Sequence, residues 1–422
     1  MSQTYDFLVG TFNTPELYTL RFTPPLPSST DSSGSLQVLH CATAIGSHSW
    51  LHLSPTKQTG KRNLYATAWT EPPAVVAYAV NSPTDIQLLG SAPTRSRSGY
   101  VTANEVALYS AGGATGEVFS LDPKTGNIIA PVNSDHAQAN GVVKDGRIQP
   151  LQLLSFVDAD AQRDDGSVMD FGGLRHGAHS TDLSPDGRAF YVADIGRNCI
   201  WTFSVDPRTG ELTPGEKHIS PRPTDGPRHV WPHPSGKFVY CLQEHTSVVD
   251  VFSATNHGVN LKHEQGVRII PLEEKAEDYW ADEVRTSISS GDKPKYLYAS
   301  TRGLKEGKRG YVAVYKLTDE GLVDTSVTAH PSYRKAAASS QDAAYNFGGL
   351  YEGLLYLWET PTSGGWANAI QPGPTIGGVE YLALTDSEEG FVFVLGWDGV
   401  EIKEVARTKL NNGAGAATAV WL

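Results

Sequence analysis

Short runs of alternating apolar and polar residues, each closed by a turn, recur along most of the chain. "GRAFYVADIG", "NCIWTFSV", "KFVYCLQ", "VVDVFSA", "KYLYAST" and "GYVAVYKL" all carry this pattern. A period of two places successive side chains on opposite faces of a β-strand. Few segments show the period of a helix. The runs are joined by "SPDG", "DPRTG", "HPSG" and similar turn signals, in which glycine supplies the backbone freedom a tight reversal needs.

The runs are also ordered. "SPDGRAFYVADIGRNCIWTFSVDPRTGEL", "HPSGKFVYCLQEHTSVVDVFSATNHGVNL" and "SGDKPKYLYASTRGLKEGKRGYVAVYKLTDEGLV" share one plan: turn, strand, polar loop, strand, turn. Tyr191 and Tyr240 hold the same place in two copies. Weaker copies begin at "SPTKQTGKRNLYATAW", at "SGYVTANEVALYSAGG" and at "TDSEEGFVFVLGW", which brings the visible total to six. A repeat of this length with several strands each predicts a β-propeller blade. "YDFLVGTF" and "LYTLRFTP" near the start and "ATAVWL" near the end supply a seventh, split between the termini, which leaves no exposed sheet edge in the ring. The predicted fold is all-β, a seven-bladed β-propeller of four-stranded antiparallel blades, with residues 1–422 forming one domain. The stretches 130–174, 256–282 and 325–360 interrupt the repeat and are predicted as long loops over one face of the disc.

Charge and composition narrow the function classes. A formal net charge of −12 excludes a general nucleic-acid binder, whose footprint is basic. It leaves an anionic small molecule open, because a few arginines reverse the field inside one cleft. The three cysteines, Cys41, Cys199 and Cys241, are scattered and form no C-x-x-C pair, which argues against a disulfide framework or a zinc site. With no secretory pattern at "MSQTYDFLVGTF" and no apolar run of membrane-spanning length, the expected setting is a soluble protein of the cytoplasm, with no membrane partner. The sequence leaves self-association into a homo-oligomer open.

In a propeller, residues at matched strand ends converge on the axis although they are distant in sequence. Candidates fall at such places in consecutive blades: His176 and His179 in "HGAHS", Arg228 and His229 in "DGPRHVW", Glu244 in "CLQEHTS", Glu283 in "WADEVRTS" and Arg302 in "YASTRG". His179 and Arg228 each precede a "P-[DS]-G" turn. Glu244 and Arg302 each follow a tyrosine-marked strand, as do Asp194 and Trp69. No G-x-S-x-G elbow, H-x-H pair or H-E-x-x-H motif is present, so neither a signposted serine nucleophile nor a metal site is expected.

These residues carry a family resemblance. A histidine upstream of "SPDG", a "PRH", an acidic residue after the next strand and an arginine one blade later resemble the lactonase-type seven-bladed propellers. That family includes the 6-phosphogluconolactonase branch and the fungal 3-carboxy-cis,cis-muconate lactonizing enzymes. "LVGTFNTPELYTLRF", "GSHSW", "YVADIGRNCIW" and "TPTSGGWANAI" are similar to segments of the muconate-cyclizing branch, nearly from end to end. "HGAHS" carries two histidines where that branch aligns one.

The resemblance implies a cycloisomerase of protocatechuate and β-ketoadipate catabolism, acting on a polycarboxylate without metal or cofactor. The substrate supplies its own nucleophile, so the protein has to supply cations and a proton. Arg228 and Arg302 suit the carboxylates, which guanidinium grips as a fork. His179 suits the proton donor near neutral pH, and Glu244 either donates or orients it. His176, His229 and Glu283 complete the substrate-binding set. Two other readings stay open: a lactone hydrolase of the 6-phosphogluconolactonase type, and a propeller that serves only as a binding platform.

Overall fold

The computed structural model describes residues 3–25, 33–55, 62–131, 148–156, 177–288, 291–328 and 352–422. Seven antiparallel sheets follow one another around an axis. Their innermost strands, in ring order, are Ala416–Trp421, Leu51–Leu53, Tyr100–Ala103, Ala178–Leu183, Pro227–Pro232, Tyr279–Thr286 and Ile370–Ile376. Each packs beside the next, and the last returns to the first. We number the blades 1 to 7 in that order. Blade 1 takes its inner strand from the C-terminal segment, which pairs antiparallel with Tyr5–Thr11. Blade 3 fills its outer position twice: Ile128–Ile129 and Gln152–Ser155 both pair with Thr115–Leu121. No helix among the described residues is long and apolar enough to cross a membrane.

The core lies between blades rather than on the axis. Among the described residues, buried apolar side chains form seven clusters, one at each interface between neighbours. This explains the burial gradient within a blade. In blade 4 the strand Ala189–Asp194 is buried throughout, because it is covered on both faces, whereas the outer strand Leu212–Ile219 is exposed at most positions.

The repeated tyrosine has a physical role at these interfaces. Tyr65, Tyr109 and Tyr240 each donate a hydrogen bond to a glycine carbonyl in an outer turn of the following blade, Gly126 at 3.1 Å, Gly210 at 3.0 Å and Gly321 at 2.6 Å. A buried phenol needs such a partner, and the turn next door provides it. Gly210 has φ +80°, and a Cβ there would meet Ala107 Cβ at 2.3 Å. The turn therefore needs glycine both for its left-handed backbone and for the close approach of two blades.

All three predicted interruptions contain strand residues. Residues 256–282 hold the outer strand of blade 5, Asn260–Arg268, and the start of the inner strand Tyr279–Thr286. Residues 325–360 include the outer strand of blade 6, Leu354–Glu359, and residues 130–174 include Gln152–Ser155. Outer strands face solvent along one side, so "NLKHEQGVR" lacks the apolar density that marks inner strands.

Candidate active site

Three inner strands carry a bulge near the same end of the axis. In blade 4, His179 is left out of the ladder between Ala178 and Ser180. In blade 5, Arg228 is left out between Pro227 and His229, and in blade 6, Asp282 between Ala281 and Glu283. A bulge sets two residues against one partner and re-aims a side chain. All three residues line one cavity of about 650 Å³, to which every blade contributes. Arg302 and Trp69 enter it from the second strands of blades 6 and 2, each at the fourth position after the repeat tyrosine. Glu244 holds that position in blade 5. Asp194 falls one residue short of it and binds Arg197 at 2.9 Å instead of entering the cavity.

The centre of the site is a buried charge cluster. Arg228 pairs with Glu244 through Nη1, with Asp282 Oδ1 through Nη2 at 3.2 Å, and donates from Nε to the Asp282 carbonyl at 3.3 Å. Arg302 Nε lies 3.6 Å from Asp282 Oδ1, its Nη1 donates to the Gly365 carbonyl at 3.1 Å, and its guanidinium stacks 4.8 Å from the Trp280 ring. Burial works against the Arg228 charge, but Glu244 and Asp282 outweigh it and its pKa is raised. Burial lowers the pKa of Arg302 and pushes the Asp282 carboxyl up to about 6, against the pull of both arginines. A guanidinium has five N–H donors, so the contacts of Arg228 hold it in place without exhausting it.

A second polar layer runs beneath. His229 Nδ1 meets Glu283 Oε1 at 2.9 Å, and Arg285 Nη1 reaches the same oxygen at 2.7 Å. Arg285 Nη2 donates to the Tyr100 hydroxyl at 3.2 Å, and Tyr100 donates to Asp182 at 3.0 Å. Burial, with Arg228 and Arg285 nearby, drives the His229 pKa well below its usual value, so the ring is neutral. Its Nε2 has no hydrogen-bond partner among the described residues. The His179 ring centroid lies 5.2 Å from that of His229.

Burial raises the Glu283 carboxyl to about 7 and the Asp182 carboxyl to about 8. In an unfolded chain an aspartate ionises near pH ~3.9. Between that value and about 8 the folded protein keeps a proton on Asp182 that the unfolded chain has lost. This group therefore makes stability fall as pH rises through that window. Asp182→Asn cannot ionise and keeps an oxygen to accept from Tyr100. Its melting temperature should fall less than that of the wild type between pH 5 and pH 8. Parallel pH profiles for the two proteins would contradict the assignment.

The predicted residues therefore separate. His179, Arg228, His229 and Arg302 line the cavity. Glu244 and Glu283 are fully or almost fully buried behind it, as partners of Arg228 and of His229. His176 lies outside the described residues. Sequence reasoning missed Asp282, Arg97 and much of the aromatic wall, formed by Phe12, Trp50, Trp280 and Trp366. Asp282 was detectable: aligning "AHSTDLS" with "ADEVRTS" sets it against His179. Among the described residues no three His, Cys, Asp or Glu side chains gather as a metal site.

Seven blades with one polar, arginine-bearing cavity at an end of the axis define the class of protein. The chain belongs to the lactonase family of seven-bladed β-propellers, whose description, Lactonase, 7-bladed beta-propeller, it matches over residues 6–336. Muconate cycloisomerase 1 of Cutaneotrichosporon cutaneum is 39% identical over 428 residues, covering 99% of this chain and 98% of that one. Carboxy-cis,cis-muconate cyclase of Neurospora crassa is 28% identical over 262 residues, covering 58% of this chain and 60% of its own. A 6-phosphogluconolactonase of Cronobacter sakazakii is 28% identical over 149 residues, covering 35% and 41%. Among solved structures, the periplasmic gluconolactonase PpgL of Pseudomonas aeruginosa superimposes with a TM-score of 0.68 at 14% identity, over 100% of this chain and 99% of that one. At that identity the likeness bears on the fold alone.

Proposed function

We propose that this protein is a cycloisomerase, an intramolecular lyase that closes 3-carboxy-cis,cis-muconate to 3-carboxymuconolactone in aromatic catabolism. Arrays of arginine and histidine suit anion binding with proton transfer in general. The observation that carries the choice of reaction is the 39% identity, over nearly the whole of both chains, to a relative named muconate cycloisomerase; the carboxy-substituted substrate follows the 28% identical relative named carboxy-cis,cis-muconate cyclase.

In this reading one substrate carboxylate attacks a carbon–carbon double bond and a C–O bond forms. The π electron pair moves to the carbon α to another carboxylate, where it takes a proton from the His179 imidazolium. The attacking carboxylate becomes the lactone ester and one proton is taken up, so product and substrate are isomers as free acids, and solvent returns the proton to His179. Arg228 and Arg302 hold carboxylates and offset the charge that develops at that carbon. Glu244 and Asp282 fix the Arg228 fork, which saves reorganisation during the reaction. His229, neutral and held by Glu283, offers Nε2 to the substrate. The chemistry calls for no metal, because the nucleophile belongs to the substrate. The partner is a small polycarboxylate, not a nucleic acid or a membrane, and three free thiols suit the cytoplasm.

Loss of the conjugated diene tests this directly. The protein should abolish the ultraviolet absorbance of 3-carboxy-cis,cis-muconate. Hydrolysis of 6-phosphogluconolactone, read as acid release, is the second reading, favoured by the family's lactonases. Acid release from that lactone without diene loss would overturn the proposal.

A further inference from the structure

The charges in the inner cluster cancel. Two guanidiniums, Arg228 and Arg302, face two carboxylates, Glu244 and Asp282, all of them buried. A polycarboxylate entering this end of the cavity meets directional donors but little net positive charge. Holding a multiply charged anion out of water requires more than this.

Arg97 is a further cation on the wall of this cavity. It lies in the loop that leads into the inner strand of blade 3, is exposed, and lines the same cavity. Among the described residues it has no carboxylate partner, and its guanidinium rests 5.1 Å from the Trp69 ring. The stack is itself supported. Trp69 Nε1 donates to the Ser98 carbonyl at 2.9 Å, in the same loop, and Phe12 packs against the indole at 5.4 Å. The loop lies tightly on the second strand, where a Cβ at Gly112 would meet the Arg97 carbonyl oxygen at 2.2 Å. A guanidinium stacked on an indole keeps its N–H edge free for an anion.

We propose that Arg97 anchors one carboxylate of the substrate at the cavity rim and sets the preference of the site for trianions over dianions. This rests on the cycloisomerase reading for the nature of the anion. The test uses ligands that cannot react: butane-1,2,4-tricarboxylate, the saturated counterpart of the substrate, and adipate, which lacks the branch carboxylate. Titration calorimetry compares the full-length wild type, Arg97→Ala, Arg97→Lys and Arg208→Ala, the last altering an exposed arginine remote from the cavity.

Charge-assisted hydrogen bonds are strong enough that Arg97→Ala should weaken tricarboxylate binding about ten- to a hundredfold. The advantage of tricarboxylate over adipate should collapse in Arg97→Ala and recover in part in Arg97→Lys. Arg208→Ala should match the wild type. Tricarboxylate affinity in Arg97→Ala within twofold of wild type overturns the inference, as does an equal loss in Arg208→Ala. Tighter wild-type binding of 6-phosphogluconate than of the tricarboxylate assigns the cation to phosphate and overturns it too. Because no turnover is involved, a wild type that leaves the diene intact defeats the cycloisomerase reading separately from this result.

Discussion

Replacing His179 by alanine should lower kcat for cyclisation by about 10²–10⁴-fold, the usual contribution of a general acid, with little change in KM. The bulge of the inner strand turns the imidazole into the cavity instead of into an interface between blades. Truncation therefore removes no core packing, and circular dichroism should report an unchanged β-sheet signal. Histidine needs no special environment to hold a proton near neutral pH, unlike a carboxyl group. His229 is the informative comparison. Its ring is close, but burial and two arginines keep it neutral, which suits an acceptor rather than an acid. His229→Ala should raise KM more than it lowers kcat. An active His179→Ala beside an inactive His229→Ala would reverse the two roles.

Arg228→Ala should cost both activity and stability. The substitution strands Glu244, which is 0% exposed, and Asp282, which is 1% exposed, without their shared cation. Removing one partner from a buried ion pair typically destabilises by about 3–5 kcal/mol, because the remaining charge cannot reach water. Urea unfolding should show this as a lower midpoint, alongside a raised KM. Arg302→Ala should raise KM with a smaller loss of stability, since Asp282 keeps Arg228 as its closer partner. Arg228→Lys should rescue neither property fully: an ammonium is a point charge and does not bridge two carboxylates and a carbonyl from one plane. Wild-type stability in Arg228→Ala would mean that the cluster contributes nothing to folding.

The blade plan was legible because it repeats. The tyrosine recurs at the interfaces between blades, where three of its copies hydrogen-bond a glycine carbonyl in the turn of the next blade, and "P-[DS]-G" recurs since each tight turn needs glycine. His179 and Arg228 could be placed because each stands eight residues before the glycine of that turn. Blade 6 replaces the turn with the longer "SISSGDKPK", which sets Asp282 nine residues before its glycine, so the shared spacing does not point to it. Glu283 instead matches His229 in register and faces the layer beneath. Arg97 left no sequence signal, because it sits in a connection between blades, where nothing repeats. The outer strand of blade 5 reads as a loop because its solvated face breaks up the apolar pattern.

This cavity is expected to isomerise its substrate. The most direct test is the reaction of the purified protein with 3-carboxy-cis,cis-muconate in heavy water, read by mass spectrometry and proton magnetic resonance. The expected product is a γ-lactone isomeric with the substrate that carries one carbon-bound deuterium on the carbon α to a carboxylate. Arg228→Ala and His179→Ala should slow the appearance of that signal. A substrate recovered with its diene intact, or a product that has gained the elements of water, would contradict it.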